Sequence, residues 1–168
     1  WEIRENKDRE IWAGTQNEAL YRITLTYNNL GIPDLAKTKV ERFGAADGLS
    51  RGVGNVYTIK GKNYFPGDSA VFTFDNKLKR FIPDTTFGLF PNGGLATESE
   101  FVEDQQGKVW IRAGKLIRLA TPKPDGSYAL DDTKLGSLSE FTIQRIYPEE
   151  NGIVWFCSTD GLIRYDEK

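Results

Sequence analysis

The sequence predicts an all-β chain of β-propeller blades, about four repeats of a four-stranded antiparallel sheet. Three observations carry that prediction. First, segments 101–111 and 146–156 align without a gap, 45 residues apart, placing Trp110 over Trp155. Each reads as an apolar strand, an acidic turn closed by Gly107 or Gly152, and a second strand with Trp in its middle. Second, two weaker copies keep the pattern: 1–15 aligns with 144–158, and the copy from Val53 carries Phe65 in the Trp place. The aromatic anchors Trp12, Phe65, Trp110 and Trp155 are therefore spaced by 53, 45 and 45 residues, a length suited to one blade. Third, β-branched and aromatic clusters bounded by Gly, Asp or Asn recur throughout, and no stretch sustains a helical apolar period.

Taken in order, the copies place blades at about 1–45, 50–86, 99–135 and 143–168 of a single propeller segment spanning 1–168. The long first spacing falls where 28–38 inserts a loop containing Gly31 and Pro33. Residues 34–41 have room for one helical turn at most. Asp125-Gly126 and Asp160-Gly161 are hairpin signals, because Gly accepts a positive φ at little cost. The first copy begins inside its innermost strand, and the last stops after its third, lacking an outer strand. A linear stack of blades leaves two apolar end faces and unpaired strand edges. Cover is expected first from further blades of a larger parent protein, then from closure of four blades on themselves, or from a second copy of the chain. Alone, the chain is expected to be fragile or to associate.

Composition narrows the function. A net charge of −2 argues against a general grip on nucleic acid, which needs concentrated positive charge. The longest apolar run, 153–157, is far too short to span a membrane. The sequence has no Met and no signal peptide, so it is expected to start inside a longer precursor or a trimmed piece. Cys157 is the single cysteine, which rules out an intrachain disulfide and suits a small buried hydrophobe. Histidine is absent, removing the commonest general base and a common metal ligand.

Asp47-Gly48-Leu49-Ser50, then Gly107-Lys108-Val109-Trp110-Ile111, then Gly161-Leu162-Ile163-Arg164-Tyr165-Asp166 together resemble the two-component regulator propeller repeat. Ile11-Trp12-Ala13-Gly14-Thr15 followed by Ala19-Leu20-Tyr21-Arg22 is a further copy of its centre. The resemblance covers essentially the whole chain. It departs at Phe65-Pro66-Gly67, where Trp-Ile-Gly is usual, and at Arg112-Ala113-Gly114. It implies large propellers in the sensor regions of bacterial histidine kinases and hybrid regulators, often followed by a triple-tyrosine domain. It further implies a periplasmic or extracellular location in a membrane-bound bacterial sensor.

Several residues admit a sharp and a plain reading. The recurring Trp residues could be sugar-stacking platforms, but an aromatic repeated at blade spacing is better read as packing between blades. Acidic turns such as 104–107 and 149–152 offer too few oxygens for calcium. Gly107-Lys108-Val109-Trp110 lacks the Thr and the spacing of the quinone-dehydrogenase tryptophan motif, and 92–94 does not lead into a phosphate-binding helix. Asp131-Asp132 and Glu149-Glu150 are paired carboxylates, but adjacent surface acids rarely face each other as glycoside chemistry requires. No catalytic residue, cofactor or metal site is therefore expected.

Ligands of propellers usually meet the rim formed by the loops between second and third strands and by the loops leading into each blade. That nominates Asn17, Arg51, Asp68, Arg112, Lys115 and Asp160. Arg51 and Arg112, each set in a Gly-rich turn, could fork onto a carboxylate, a sulfate or sugar hydroxyls. The plainer expectation for both is an ordinary solvent-facing side chain. The leading function is a non-catalytic sensor segment binding a small-molecule or saccharide cue. Alternatives are a protein-interaction scaffold and, remotely, a propeller hydrolase or lyase.

Overall fold

The computed structural model describes residues 3–5, 10–15, 19–50, 53–68, 70–90 and 99–166. The chain divides into two compact units, 1–84 and 85–168. In the first unit, β1 (Ile3–Glu5), β2 (Glu10–Gly14), β3 (Leu20–Thr24) and β4 (Lys39–Phe43) form an antiparallel meander in that order. A second meander follows from β5 (Tyr57–Ile59), β6 (Lys62–Pro66), β7 (Val71–Asp75) and β8 (Arg80–Asp84). The second unit repeats the plan with β9 (Ser99–Glu103), β10 (Val109–Ala113), β11 (Leu116–Pro122) and β12 (Tyr128–Asp131). Its other sheet has three strands, β13 (Ile143–Pro148), β14 (Ile153–Ser158) and β15 (Gly161–Asp166). The fold is all-β, built from blade-like sheets, and the helical structure among the described residues is confined to 3₁₀ turns.

Each aromatic anchor lies in the second strand of its sheet: Trp12 on β2, Phe65 on β6, Trp110 on β10 and Trp155 on β14. Trp12 is 2% exposed and meets rings from its own and the neighbouring sheet. Its centroid lies 5.7 Å from Phe43, 4.9 Å from Phe65 and 5.6 Å from Phe74. Burying such a ring is worth about 4–6 kcal/mol of transfer free energy before ordering costs. Trp110, wholly buried, plays the same part in the second unit, against Phe156 at 6.1 Å and Tyr165 at 5.8 Å. Trp155 is half-buried.

Local chemistry explains the connections. The 28–38 insertion is organised by Asn28, whose Oδ1 accepts from Leu30 N and Ile32 N. Its single 3₁₀ turn, Leu35–Lys37, is capped by Asp34 Oδ1. The hairpin from β14 to β15 turns on Thr159-Asp160 rather than Asp160-Gly161, because Ser158 pairs with Gly161 and makes that glycine the first strand residue. Strand β10 is buried along its whole length. It is hydrogen-bonded to β9 and β11, one face of its sheet packs on β13 and β14, and Phe87 of 85–90 meets Phe101 edge-on and Tyr128 at a tilt.

Candidate functional site

The rim residues expected from the sequence belong to the turns between second and third strands or to the segments leading into a sheet. In the first unit, Thr15 closes the β2–β3 turn by donating both its backbone N–H (3.1 Å) and its hydroxyl (3.0 Å) to Ala19 O. The segment leading into β5 runs against this turn. A Cβ on Gly14 would sit 1.8 Å from Gly54 O, so only glycine permits the approach. On the second sheet a Cβ on Gly67 would meet Ser50 Oγ at 2.1 Å and Val53 Cγ2 at 2.9 Å. Gly14 thus lies against Gly54, and Gly67 lies against Ser50 and Val53, with half-buried Asp68 next in sequence to Gly67. Asn17 and Arg51 lie outside the described residues.

In the second unit, Lys115 is exposed in a two-residue turn with Gly114. Asp160 is exposed as well, its N–H bonded to Ser158 Oγ at 3.2 Å and its carboxylate near Thr159 Oγ1 at 3.4 Å. The side chains of Lys115 and Asp160 face water, each on its own turn.

Arg112 departs from expectation. It is not a solvent-facing turn residue: it is 7% exposed, inside β10, paired in register with Glu100 and Ile117. The reason is turn length. With Gly114-Lys115 alone making the turn, Ala113 and Arg112 remain in the strand, which is covered on both faces. Arg112 Nε is buried without a hydrogen-bond partner among the described residues. The acid beside it in register, Glu100, accepts the backbone N–H of Ile146 at 2.9 Å. Counting two residues on from each anchor gives Gly14, Gly67, Arg112 and Cys157. The third repeat thus places a guanidinium where the first two need glycine. A buried guanidinium N–H without an acceptor is costly, so an acceptor arriving at this position gains more than on open surface.

Two further arginines escaped notice as single residues. Arg22 on β3 and Arg118 on β11 occupy the same repeat position and are slightly more buried than Arg112. Arg22 binds Glu41 of the next strand through Nε (2.9 Å) and Nη2 (2.7 Å), donates Nη1 to Asn76 (3.1 Å), and lies 4.7 Å from the Phe74 ring centre. Arg118 grips Asp132 through the same two nitrogens but on two oxygens, Nε to Oδ1 and Nη2 to Oδ2, where Arg22 sends both to Glu41 Oε2. It donates Nη1 to the carbonyls of Phe87 and Leu89. Bidentate pairs of this type fix geometry as well as charge. The signal was present as a recurring Leu-x-Arg on the third strand at 20–22, 116–118 and 162–164. Arg164, on the last strand of its three-stranded sheet, makes a local pair with Asp166 at 3.2 Å.

The carboxyls whose ionisation is displaced sit in turns and clamps, away from the rim. Asp75 is held low by the backbone N–H groups of Leu78 and Lys77. Asp125 is held low by the Ser127 hydroxyl and N–H, and Asp131 by the N–H groups of Lys134 and Thr133. Glu41 is lowered first by its hydrogen bond from Lys39 and then by Arg22, against a partial desolvation. The paired acids of the sequence part company: Asp131 caps a turn while Asp132 serves Arg118. No group of three or more His, Cys, Asp or Glu able to hold a metal occurs among the described residues.

No family model matches the sequence, and no curated protein matches it. Among solved structures, the chain is similar to the extracellular domain of the putative one component system BT4673 from B. thetaiotaomicron. That likeness has a TM-score of 0.62 at 16% identity and covers 99% of this chain. The chain spans 22% of that protein's length. The likeness fixes the fold. Among the described residues no helix is long and apolar enough to cross a membrane.

Proposed function

We propose that this chain is a non-catalytic recognition segment from the extracytoplasmic part of a bacterial two-component-type signalling protein. It binds an anionic small-molecule or saccharide cue at the rim of the third sheet. The carrying observation is Arg112, a buried guanidinium whose Nε has no partner among the described residues. Support for a sensor role in general comes from the fold shared with an extracellular domain of a one-component system. The remaining blades of the parent protein, or a second copy, complete the segment. Binding becomes a signal if the cue prefers one of two arrangements of these parts.

The test is thermal unfolding of the chain with glucuronate and a sulfated hexose set against glucose. A saturable rise in melting temperature with an anionic member, absent with glucose, supports the reading. Arg112→Gln should weaken that binding by at least about 30-fold, the loss expected when one partner of a buried charge pair is removed. Equal responses to glucose and glucuronate, or an undiminished response in Arg112→Gln, would sink it.

One observation favours the scaffold reading as a second possibility. Leu30, Leu35 and Val40 are all well exposed along the insertion and outer strand of the first sheet, which suits contact with another protein.

A further inference from the structure

The outer strand of the first sheet presents an edge that the rim reading leaves out. Strand β4 (Lys39–Phe43) is hydrogen-bonded to β3 on one side, and no described strand pairs with its other side. An open edge is a row of N–H and C=O groups ready to take another strand, and natural sheets commonly blunt it. The outer strand of the second sheet carries Pro83, which has no N–H to give a ladder, and β12 of the third has only four residues. Strand β4 has five residues and no proline, and its Val40 is 60% exposed. Thr38 before it is extended as well (φ −68°, ψ 128°), which lengthens the edge.

The side chains along that edge are complementary to themselves. Glu41 is in register with Arg22 and Trp12, so Lys39 and Glu41 share their face of the sheet. Val40 and Arg42 belong to the opposite face. Pleating lets only residues of one face oppose each other across an antiparallel pair, so registers between two copies of β4 differ by steps of two residues. Centred on Lys39 or on Glu41, such a pair sets like charges directly against each other. Centred on Val40, it sets Lys39 against Glu41 of the second copy at both ends and Val40 against Val40. Opposite charges and β-branched pairs across strands stabilise, and like charges destabilise. The acceptor is held in advance: Glu41 Oε2 is fixed by Arg22 Nη2 at 2.7 Å, while Oε1 already takes Lys39 Nζ of its own copy at 2.8 Å.

Apolar surface beside the strand fits the same partner. Leu30, Ile32 and Leu35 are well exposed on the insertion that leads into β4. In the Val40-centred register the Leu35–Lys37 turn runs toward the Ala45–Asp47 turn of the second copy, where Ala45 and Ala46 are exposed. Association removes apolar surface from water at both ends of the paired strands. We infer that β4 is a homodimer edge, through which two copies of this chain pair antiparallel, centred on Val40. The contact is lateral and distinct from any covering of a sheet face. One strand pair with its flanking turns is a small interface, and small interfaces are weak and transient.

The test is sedimentation equilibrium of the whole chain from about 1 μM to about 1 mM, with a monomer–dimer equilibrium expected inside that range. Lys39→Glu sets an acid against Glu41 at both ends of the pair and should raise the dissociation constant at least about tenfold. Its urea midpoint, little changed by a substitution at an exposed position, separates lost pairing from a lost fold. In a Cys157→Ser background, Val40→Cys should form a disulfide-linked dimer on mild oxidation, since directly opposed Cα atoms stand about 4.5–5.5 Å apart. Arg42→Cys, on the same face but about 13 Å from its counterpart in this register, should not. A chain that stays monomeric to about 1 mM overturns the inference. So does a dimer indifferent to Lys39→Glu, or equal cross-linking of Val40→Cys and Arg42→Cys, the pattern of contact through the sheet face. Arg112→Gln should leave the dimer intact, so failure here and failure at the rim are told apart.

Discussion

Asp104 holds Trp110 from six residues away: its Oδ2 accepts the indole N–H at 3.0 Å, while Oδ1 accepts the backbone N–H groups of Gln106 and Lys108 at 2.9 Å each. One carboxylate thus ties the hairpin turn to the residue at the centre of the second core. Hydrogen bonds to a charged acceptor contribute about 1.5–3 kcal/mol, and a buried indole N–H left unpaired adds its own penalty. Asp104→Ala should therefore lower unfolding free energy by about 2–4 kcal/mol, and Asp104→Asn by about half as much. Urea unfolding with an unchanged slope is the measurement. A loss below about 0.5 kcal/mol for Asp104→Ala, the scale of an ordinary surface change, would show that the link carries no stability.

Gly14 makes a second prediction, from space alone. Its missing Cβ is what lets Gly54 O come within 1.8 Å of where that atom would stand. Both partners are backbone, so neither can rotate aside. Gly14→Ala should cost about 3 kcal/mol or more, at the upper end of overpacking. Gly136→Ala is the control, since nothing lies within 4 Å of the added atom, and it should stay within about 0.5 kcal/mol of the parent. Equal melting temperatures for the two variants would contradict the packing described.

The strands and the places of Trp12, Phe65, Trp110 and Trp155 on them were legible because they follow from short local patterns: apolar strand, polar turn, apolar strand. Arg112 was not legible. The sequence around it reads as a Gly-rich turn, whereas the pairing Ala113↔Leu116 keeps it in the strand, and β13, distant in sequence, packs on β10. Arg22 and Arg118 were visible as a repeat, yet their partners Glu41 and Asp132 lie across strand pairs, 19 and 14 residues on. Pairing at that range is set by register, which one sequence does not display.

The clamp at Glu41 predicts an acid-sensitive stability. Its folded pKa lies below the ordinary 4.5, and those of Asp75, Asp125 and Asp131 lie below 3.8. A carboxyl depressed on folding adds stability that is fully present above its unfolded pKa and is lost as pH falls through the folded value. Stability should thus be nearly flat from neutral pH to about 5 and fall below about 4, as these groups protonate. Glu41→Gln should flatten part of that fall while lowering stability at pH 7. Denaturant midpoints taken across pH 3–7 decide the matter, and a variant whose acid profile overlays the parent would remove Glu41 from the account.

Arg112 offers the sharpest contrast between folding and recognition. With Nε buried and unpartnered, the guanidinium carries at that atom a desolvation cost that no hydrogen bond from the described residues offsets. Replacing it by Met keeps a long, flexible side chain in the same space and removes the charge. Arg112→Met should therefore raise unfolding free energy by about 1–3 kcal/mol in the absence of ligand. The same variant should lose the response to an anionic cue, so stability and binding move in opposite directions. That opposition is the signature of a residue retained for a partner it meets only on binding, in the sense that function is held at the expense of stability. If Arg112→Met instead unfolds at lower urea than the parent, Arg112 is serving the fold through a contact of its own, and the anion site must be sought elsewhere on the rim.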